Sequence, residues 1–196
     1  MKSITNYRYS LILASGSPRR AQLLQSLGFD FEVRVTNADE SFSSDMSVYE
    51  VPAFLATIKA QSFKGIIAEN ELVITADTVV ILNNTILNKP QNREEAIQML
   101  KSLSGNTNEV CTAVSILGTK VEKTFTDIAQ VVFRELTDEE IEHYVDVHKP
   151  FDKAGAYGIQ EWIGMIGIEK LNGSFYTVMG LPTHLLFKNL VEIANQ

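Results

Sequence analysis

The chain has 196 residues, 45% of them hydrophobic, and a formal net charge of −7; that length suits one large domain or two small lobes sharing a core. Its mean hydropathy of +0.01 and pI near 5.0 are those of an ordinary globular chain. They argue against a broad nucleic-acid or anionic-membrane footprint, so an anion site must be a local cluster on an acidic background.

The elements follow in chain order. Residues 10–14 read as a buried strand that runs into Ser15-Gly16-Ser17-Pro18-Arg19-Arg20. Ser17 is placed to cap a helix with Pro18 in its first turn and Gly28 just past its end, with Leu23, Leu24 and Leu27 facing the core. FEVRV (31–35) alternates like a strand, residues 37–50 form a polar loop, and a helix is expected from about Pro52 to Lys64. Residues 72–90 read as a strand, an Asn-Asn turn and a short return, a hairpin. Asn92 and Glu95 stand at capping-box spacing before a helix closing at Gly105, and Thr137 and Glu140 repeat it before a helix ending near His148. Strands are expected at about 109–117 and 121–134, joined near Gly118. MIGIEKLNGSFYTV (165–178) reads as a hairpin with Asn172-Gly173 at its tip, and Pro182 opens a C-terminal helix. Hairpins among alternating strands and helices predict an α/β fold with a mixed sheet flanked by helices. No linker rich in Pro, Gly or Ser divides the chain, so residues 1–196 are read as a single domain.

Only one cysteine, Cys111, is present, which excludes an intramolecular disulfide and fits a reducing compartment; it reads as a small buried hydrophobe. No apolar run approaches the ~20 residues that span a bilayer. The stretch MKSITNYRYSLILASG has too short an apolar core for a signal peptide, so a cytoplasmic protein without membrane contact is expected.

Two adjacent arginines, Arg19 and Arg20, break the rule that favours acidic residues in a helix's first turn. A strand turning through glycine into a helix start offers backbone N–H groups and a positive dipole end, which suits phosphate. The alternative is a solvated turn whose arginines point away. Asp77 interrupts LVITADTVVIL on the face of Val73, Thr75, Val79 and Ile81. A carboxylate among apolar neighbours must be paired, hydrogen-bonded or metal-bound; the alternatives are strand-end exposure and pairing to a structural arginine. Lys59 follows Leu55 by four residues, near the apolar side of its helix, where snorkelling to solvent is the ordinary outcome. Lys89 follows the strand of Asp77 and alone is a hairpin lysine. DKAGAYGIQ (152–160) holds Lys153 and two glycines, a close backbone approach or a turn-rich linker. Asp39-Glu40 offers the hard oxygens that Mg²⁺ prefers, although such pairs in loops are usually solvated. The three histidines form no H-x-x-x-H pair, and no nucleophile elbow, Walker A loop or dinucleotide fingerprint appears.

LASGSPRR, the Lys59-Ala60 pair, ADTVV, the Lys89-Pro90 pair, DKAGAYGIQ and GLP at 180–182 together resemble the Maf family of nucleoside triphosphate pyrophosphatases over nearly the whole chain. The resemblance implies an elongated mixed sheet in two lobes with a central cleft, related to the inosine triphosphate pyrophosphatase fold. It also implies a homodimer, a divalent cation (Mg²⁺ or Mn²⁺), and hydrolysis of a nucleotide between its α- and β-phosphates. Position by position, it makes Ser15, Arg19, Arg20, Lys59 and Lys89 phosphate-binding, Asp77 the proton acceptor and Glu40 an acidic, metal-side residue. Gln160 falls on the base side. Arg19, Thr78 and Gln160, with Lys153 on the substrate, are similar to members acting on dTTP and UTP, extending to modified pyrimidine nucleotides. Members acting on 7-methyl-GTP tend instead to Trp, Gln and Glu at those three positions. Whether Asp77 is base, metal ligand or both stays open, as does a nucleotide-binding regulator of cell division with little catalysis. The chain departs from the family at Asn88, Asn108, Lys149 and Glu161.

Overall fold

The computed structural model describes residues 8–195; the first residues of the stretch weighed as a signal peptide lie outside them. Seven strands are present among the described residues: β1 (Ser10–Leu13), β2 (Phe31–Val33), β3 (Glu71–Leu82), β4 (Thr85–Leu87), β5 (Thr107–Leu117), β6 (Glu122–Phe133) and β7 (Ile168–Asn172). The helices are α1 (Pro18–Ser26), α2 (Val51–Gln61), α3 (Arg93–Leu103), α4 (Asp138–His148), α5 (Trp162–Gly167), α6 (Phe175–Val178) and α7 (Thr183–Ala194), with a 3-10 turn at Ala154–Ala156. The sheet runs β2-β1-β3-β5-β6-β7, and β4 pairs with β3. β1 is parallel to both β2 and β3, whereas β3–β4 and β6–β7 are antiparallel, so the expected mixed sheet is present.

The chain forms two compact units. Among the described residues, one takes those up to Asp77, Thr112–Asp127 and those from Gly180 on; the other takes Thr78–Cys111 and Ile128–Met179. In the first unit, Ile12 and Val73 of adjacent strands pack with Ala60, Phe63 and Leu117. That contact fixes α2 over one face of β3. In the second, Val110, Val131 and Phe133 pack with Leu100 and Leu103 of α3 and Ile141 and Tyr144 of α4. Phe133 meets Tyr157 edge to face at 5.1 Å.

Local chemistry explains most element ends. Asn83 and Asn84 both take positive φ (50° and 60°) in the β3–β4 turn, the conformation a tight hairpin demands and asparagine tolerates. Thr137 and Glu140 form the full reciprocal capping box at α4. Asn92 caps α3 by accepting from Glu95 N, but the Glu95 carboxylate reaches one residue further back, to Gln91 N at 2.8 Å. Ser17 occupies the N-cap of α1 without a side-chain cap bond; its N–H instead donates to Ser15 Oγ at 3.2 Å.

The hairpin expected at 165–178 is not formed. Residues 162–167 are α5, and 168–172 are the single strand β7 on the free side of β6. A β-carbon on Gly173 would lie 2.8 Å from Ala129 Cα, so this glycine serves close backbone approach to β6. Asn172-Gly173 ends an edge strand instead of tipping a turn, and the Phe175–Val178 segment coils into α6. Cys111 is buried in β5. Among the described residues, no helix is long and apolar enough to cross a membrane.

Candidate active site

The first unit holds six of the singled-out side chains: Ser15, Arg19, Arg20, Glu40, Lys59 and Asp77. β1 ends at Leu13, and the chain turns through buried Ser15 into α1. Arg20, on the first turn of α1, folds back: Nε donates to Gly180 O and Nη1 to Ala76 O, both at 2.9 Å, and Nη1 also to Ser15 Oγ at 3.3 Å. Two of these acceptors are backbone carbonyls, one of them on the residue before Asp77. Arg20 thus ties the β1–α1 turn and the Gly180 bend to the strand carrying Asp77, a role that spacing alone does not suggest. Burial lowers the proton affinity of its guanidinium, and Arg19 adds to this, while Asp77 and Glu40 oppose it; an arginine stays cationic under such opposing influences. Arg19 is half-buried beside it.

Asp77 lies on the β3 face that α2 covers. On that face Val73 packs against Ala60 and Phe63, and Thr75 Oγ1 donates to Ala56 O at 2.6 Å. Asp77 Oδ1 accepts from Lys59 Nζ at 2.7 Å. Asp77 therefore lies on the face that strand alternation assigns it, and its partner is a lysine that turns inward from α2. The same ammonium pairs with Glu40 Oε2 at 2.9 Å. Lys59 is thus shared by two carboxylates, one on a strand and one on the loop before α2.

Among the described residues, no group of three or more His, Cys, Asp or Glu is gathered as a metal cage. Asp77 and Glu40 nevertheless supply two hard oxygen donors drawn to one cation. Two carboxylates completed by phosphate oxygens and water make a set that suits Mg²⁺.

The second unit holds Thr78, Lys89, Lys153 and Gln160. Thr78 is half-buried on β3, while Lys89 and Gln160 are exposed. Gly155 N donates to Asn88 O at 3.2 Å, which binds the Lys153 loop to the segment of Lys89. Gly155 takes φ +69°, and a β-carbon there would stand 3.0 Å from Val80, so close approach is what this glycine serves. Lys153 is buried, with its ammonium 2.7 Å from Asp152 Oδ1 and 3.1 Å from Glu161 Oε1.

Two of these residues carry more than spacing reveals. Glu161 receives Lys153 on one oxygen and the Tyr144 hydroxyl on the other, and Tyr144 in turn accepts from Gly158 N at 3.1 Å. Burial, then the bond to Glu161, raises the Tyr144 phenol well above its ordinary range, so it stays a donor. Tyr144 sits between Ile141 and Val145 on α4 and reads in sequence as core. The other departures have structural places. Asn108 is buried, donating to Val131 O at 3.2 Å and accepting from Tyr157 OH at 3.0 Å. Lys149 closes α4 in the left-handed conformation.

Residues 10–193 match the family described as Maf-like protein. A protein of Bacteroides thetaiotaomicron described as a dTTP/UTP pyrophosphatase is 46% identical over 187 residues, 95% of this chain and 97% of the relative. A protein of Parabacteroides distasonis with the same description is 48% identical over 184 residues, 93% and 95% of the two chains. The structure of a HAM1 protein from Coxiella burnetii superposes with a TM-score of 0.50 at 14% identity, covering 92% of this chain and 99% of the other. At that identity the likeness is one of fold.

Proposed function

The chain belongs to the Maf-like family, and on that premise we propose that it hydrolyses dTTP and UTP to the monophosphate and pyrophosphate. The relatives described above support the substrate. The observation that carries the reaction is the Lys59 ammonium shared by Asp77 and Glu40, a compensated acidic pair in the same unit as a turn suited to phosphate.

In this reading Ser15, Arg19 and the backbone of the β1–α1 turn receive phosphate oxygens, where the helix start also favours an anion. Arg20 holds the turn and adds its charge. Arriving phosphates compete with Asp77 and Glu40 for Lys59, and the ammonium then serves the triphosphate. Asp77 takes the proton from a water attacking the α-phosphorus; the α–β anhydride bond breaks and its electron pair leaves with pyrophosphate. Asp77 and Glu40 would hold a divalent cation, Mg²⁺ or Mn²⁺, which when bound supplies charge neutralisation on the departing group. In the second unit Lys89 and Lys153 keep substrate-binding roles, and Thr78 and Gln160, with Arg19, the selection of the base.

The same reading makes the enzyme a cytoplasmic homodimer that binds no nucleic acid, which light scattering and RNA or DNA titration test. The main experiment offers dTTP, UTP, CTP, ATP, GTP and 7-methyl-GTP with Mg²⁺ or Mn²⁺ and separates the products. Pyrophosphate from dTTP and UTP foremost, abolished by EDTA and restored by cation, is expected. Nucleotide diphosphate and orthophosphate, or preference for 7-methyl-GTP, contradicts the reading.

A further inference from the structure

Gly158–Glu161 is a β-turn closed by Glu161 N donating to Gly158 O at 3.0 Å. Its central residues are Ile159, whose side chain is buried, and Gln160, whose side chain is exposed. Backbone closure alone leaves such a turn marginal, because one hydrogen bond contributes little net stability in water. This turn carries a second closure. The Tyr144 hydroxyl accepts from Gly158 N at one end and donates to the Glu161 carboxylate at the other. The remaining Glu161 oxygen takes Lys153. The carboxylate folds back over the turn so closely that a β-carbon on Gly158 would stand 2.9 Å from Glu161 Cδ. Behind it, α5 starts directly, and a β-carbon on Gly164 would stand 1.9 Å from Ile159 O. Ile159 and Glu161 are therefore pinned on both sides of Gln160.

We infer that Glu161 is a positioning residue for nucleotide selectivity: with Tyr144 and Lys153 it clamps the Gly158–Glu161 turn and fixes the direction in which Gln160 is presented to the base. The inference rests on the dTTP/UTP reading for the identity of the ligand, while the clamp itself rests on geometry alone. Tyr144 and Glu161 need not touch the nucleotide. The clamp also gives Lys153 its place: two carboxylates compensate its charge, so its part in substrate binding is exerted by holding the turn.

Glu161→Gln tests this with little change of shape. The amide has one acceptor oxygen and no charge, so it cannot keep both the Tyr144 O–H donor bond and the Lys153 ion pair, and the clamp weakens. The expected result is an about tenfold loss of the dTTP-over-CTP ratio in kcat/KM, carried by KM, with kcat within about threefold. Tyr144→Phe should shift the ratio in the same direction, and the double variant should be no worse than Glu161→Gln, because both cut one clamp. A merely structural role would lower all nucleotides together and leave the ratio alone. Dissociation constants for the same nucleotides, read from Trp162 fluorescence one residue beyond the turn, give the ratio without turnover. A wild-type protein that binds dTTP selectively but hydrolyses nothing overturns the hydrolysis reading and leaves the clamp to be judged by binding. An unchanged ratio in both soluble, cooperatively melting variants overturns the clamp, as does a wild type that binds no nucleotide selectively.

Discussion

In the first unit Lys59 lies between Asp77 and Glu40; in the second Lys153 lies between Asp152 and Glu161. Each site places one ammonium against two carboxylates. Burial does not separate them: the inner pairs have side-chain exposures of 19% and 14% for Lys59 and Asp77 against 9% and 21% for Lys153 and Glu161, and the outer acids 57% and 59%. What differs is the surroundings of the inner acid. Glu161 is held on both oxygens, by a lysine and by a tyrosine anchored in α4, so its carboxylate is committed to structure. Asp77 stands on a strand whose backbone is braced by Arg20 through Ala76 O, and its own carboxylate is engaged by a long flexible lysine that an incoming anion can draw away. On the proposed reading, the same charge arrangement serves as a clamp in one unit and as a chemical group in the other.

The sharpest way to break this comparison is Asp77→Asn. The amide keeps the shape and cannot take a proton, so kcat should fall about 10³-fold, within the range for a lost general base, with the melting transition retained; near-wild-type turnover would return Asp77 to a structural role. Next come the two lysines exchanged one at a time for methionine. Lys59→Met should cost about 10²-fold in kcat, as expected when a transition-state charge contact is removed, whereas Lys153→Met should act on KM and on the nucleotide ratio. Equal kinetic profiles for the two variants would erase the distinction. Arg20→Lys keeps a cation but loses the fork, leaving Gly180 O or Ala76 O without its donor; a loss of about 2 kcal/mol in denaturant unfolding is expected. Thr137→Ala, remote in role, should cost about 1 kcal/mol through the α4 cap and leave kcat untouched.

What was legible in the sequence followed from local rules. The Asn83-Asn84 turn, the Thr137 capping box and the inward face of Asp77 each depend on residues within a few positions, where backbone preference and alternation decide. The turn at Ser15–Arg20 was recognisable as a strand-to-helix junction, and Glu40, Lys59 and Asp77 fall in the same unit as it. The failures share a cause as well. Arg20 is explained by carbonyls 56 and 160 positions away, and Tyr144 by a carboxylate 17 positions on; no spacing announces such partners. The 165–178 hairpin failed because a short apolar helix followed by an edge strand alternates much as two strands do, and Gly173 answers to Ala129 rather than to a turn. Glu161 was visible as a departure from the family, but its meaning required the fold.

The most direct test of the central claim is a single turnover of dTTP in ¹⁸O-labelled water by the wild-type enzyme. Attack at the α-phosphorus puts one labelled oxygen in dTMP and none in pyrophosphate. Label in pyrophosphate, or in orthophosphate released beside dTDP, would contradict it.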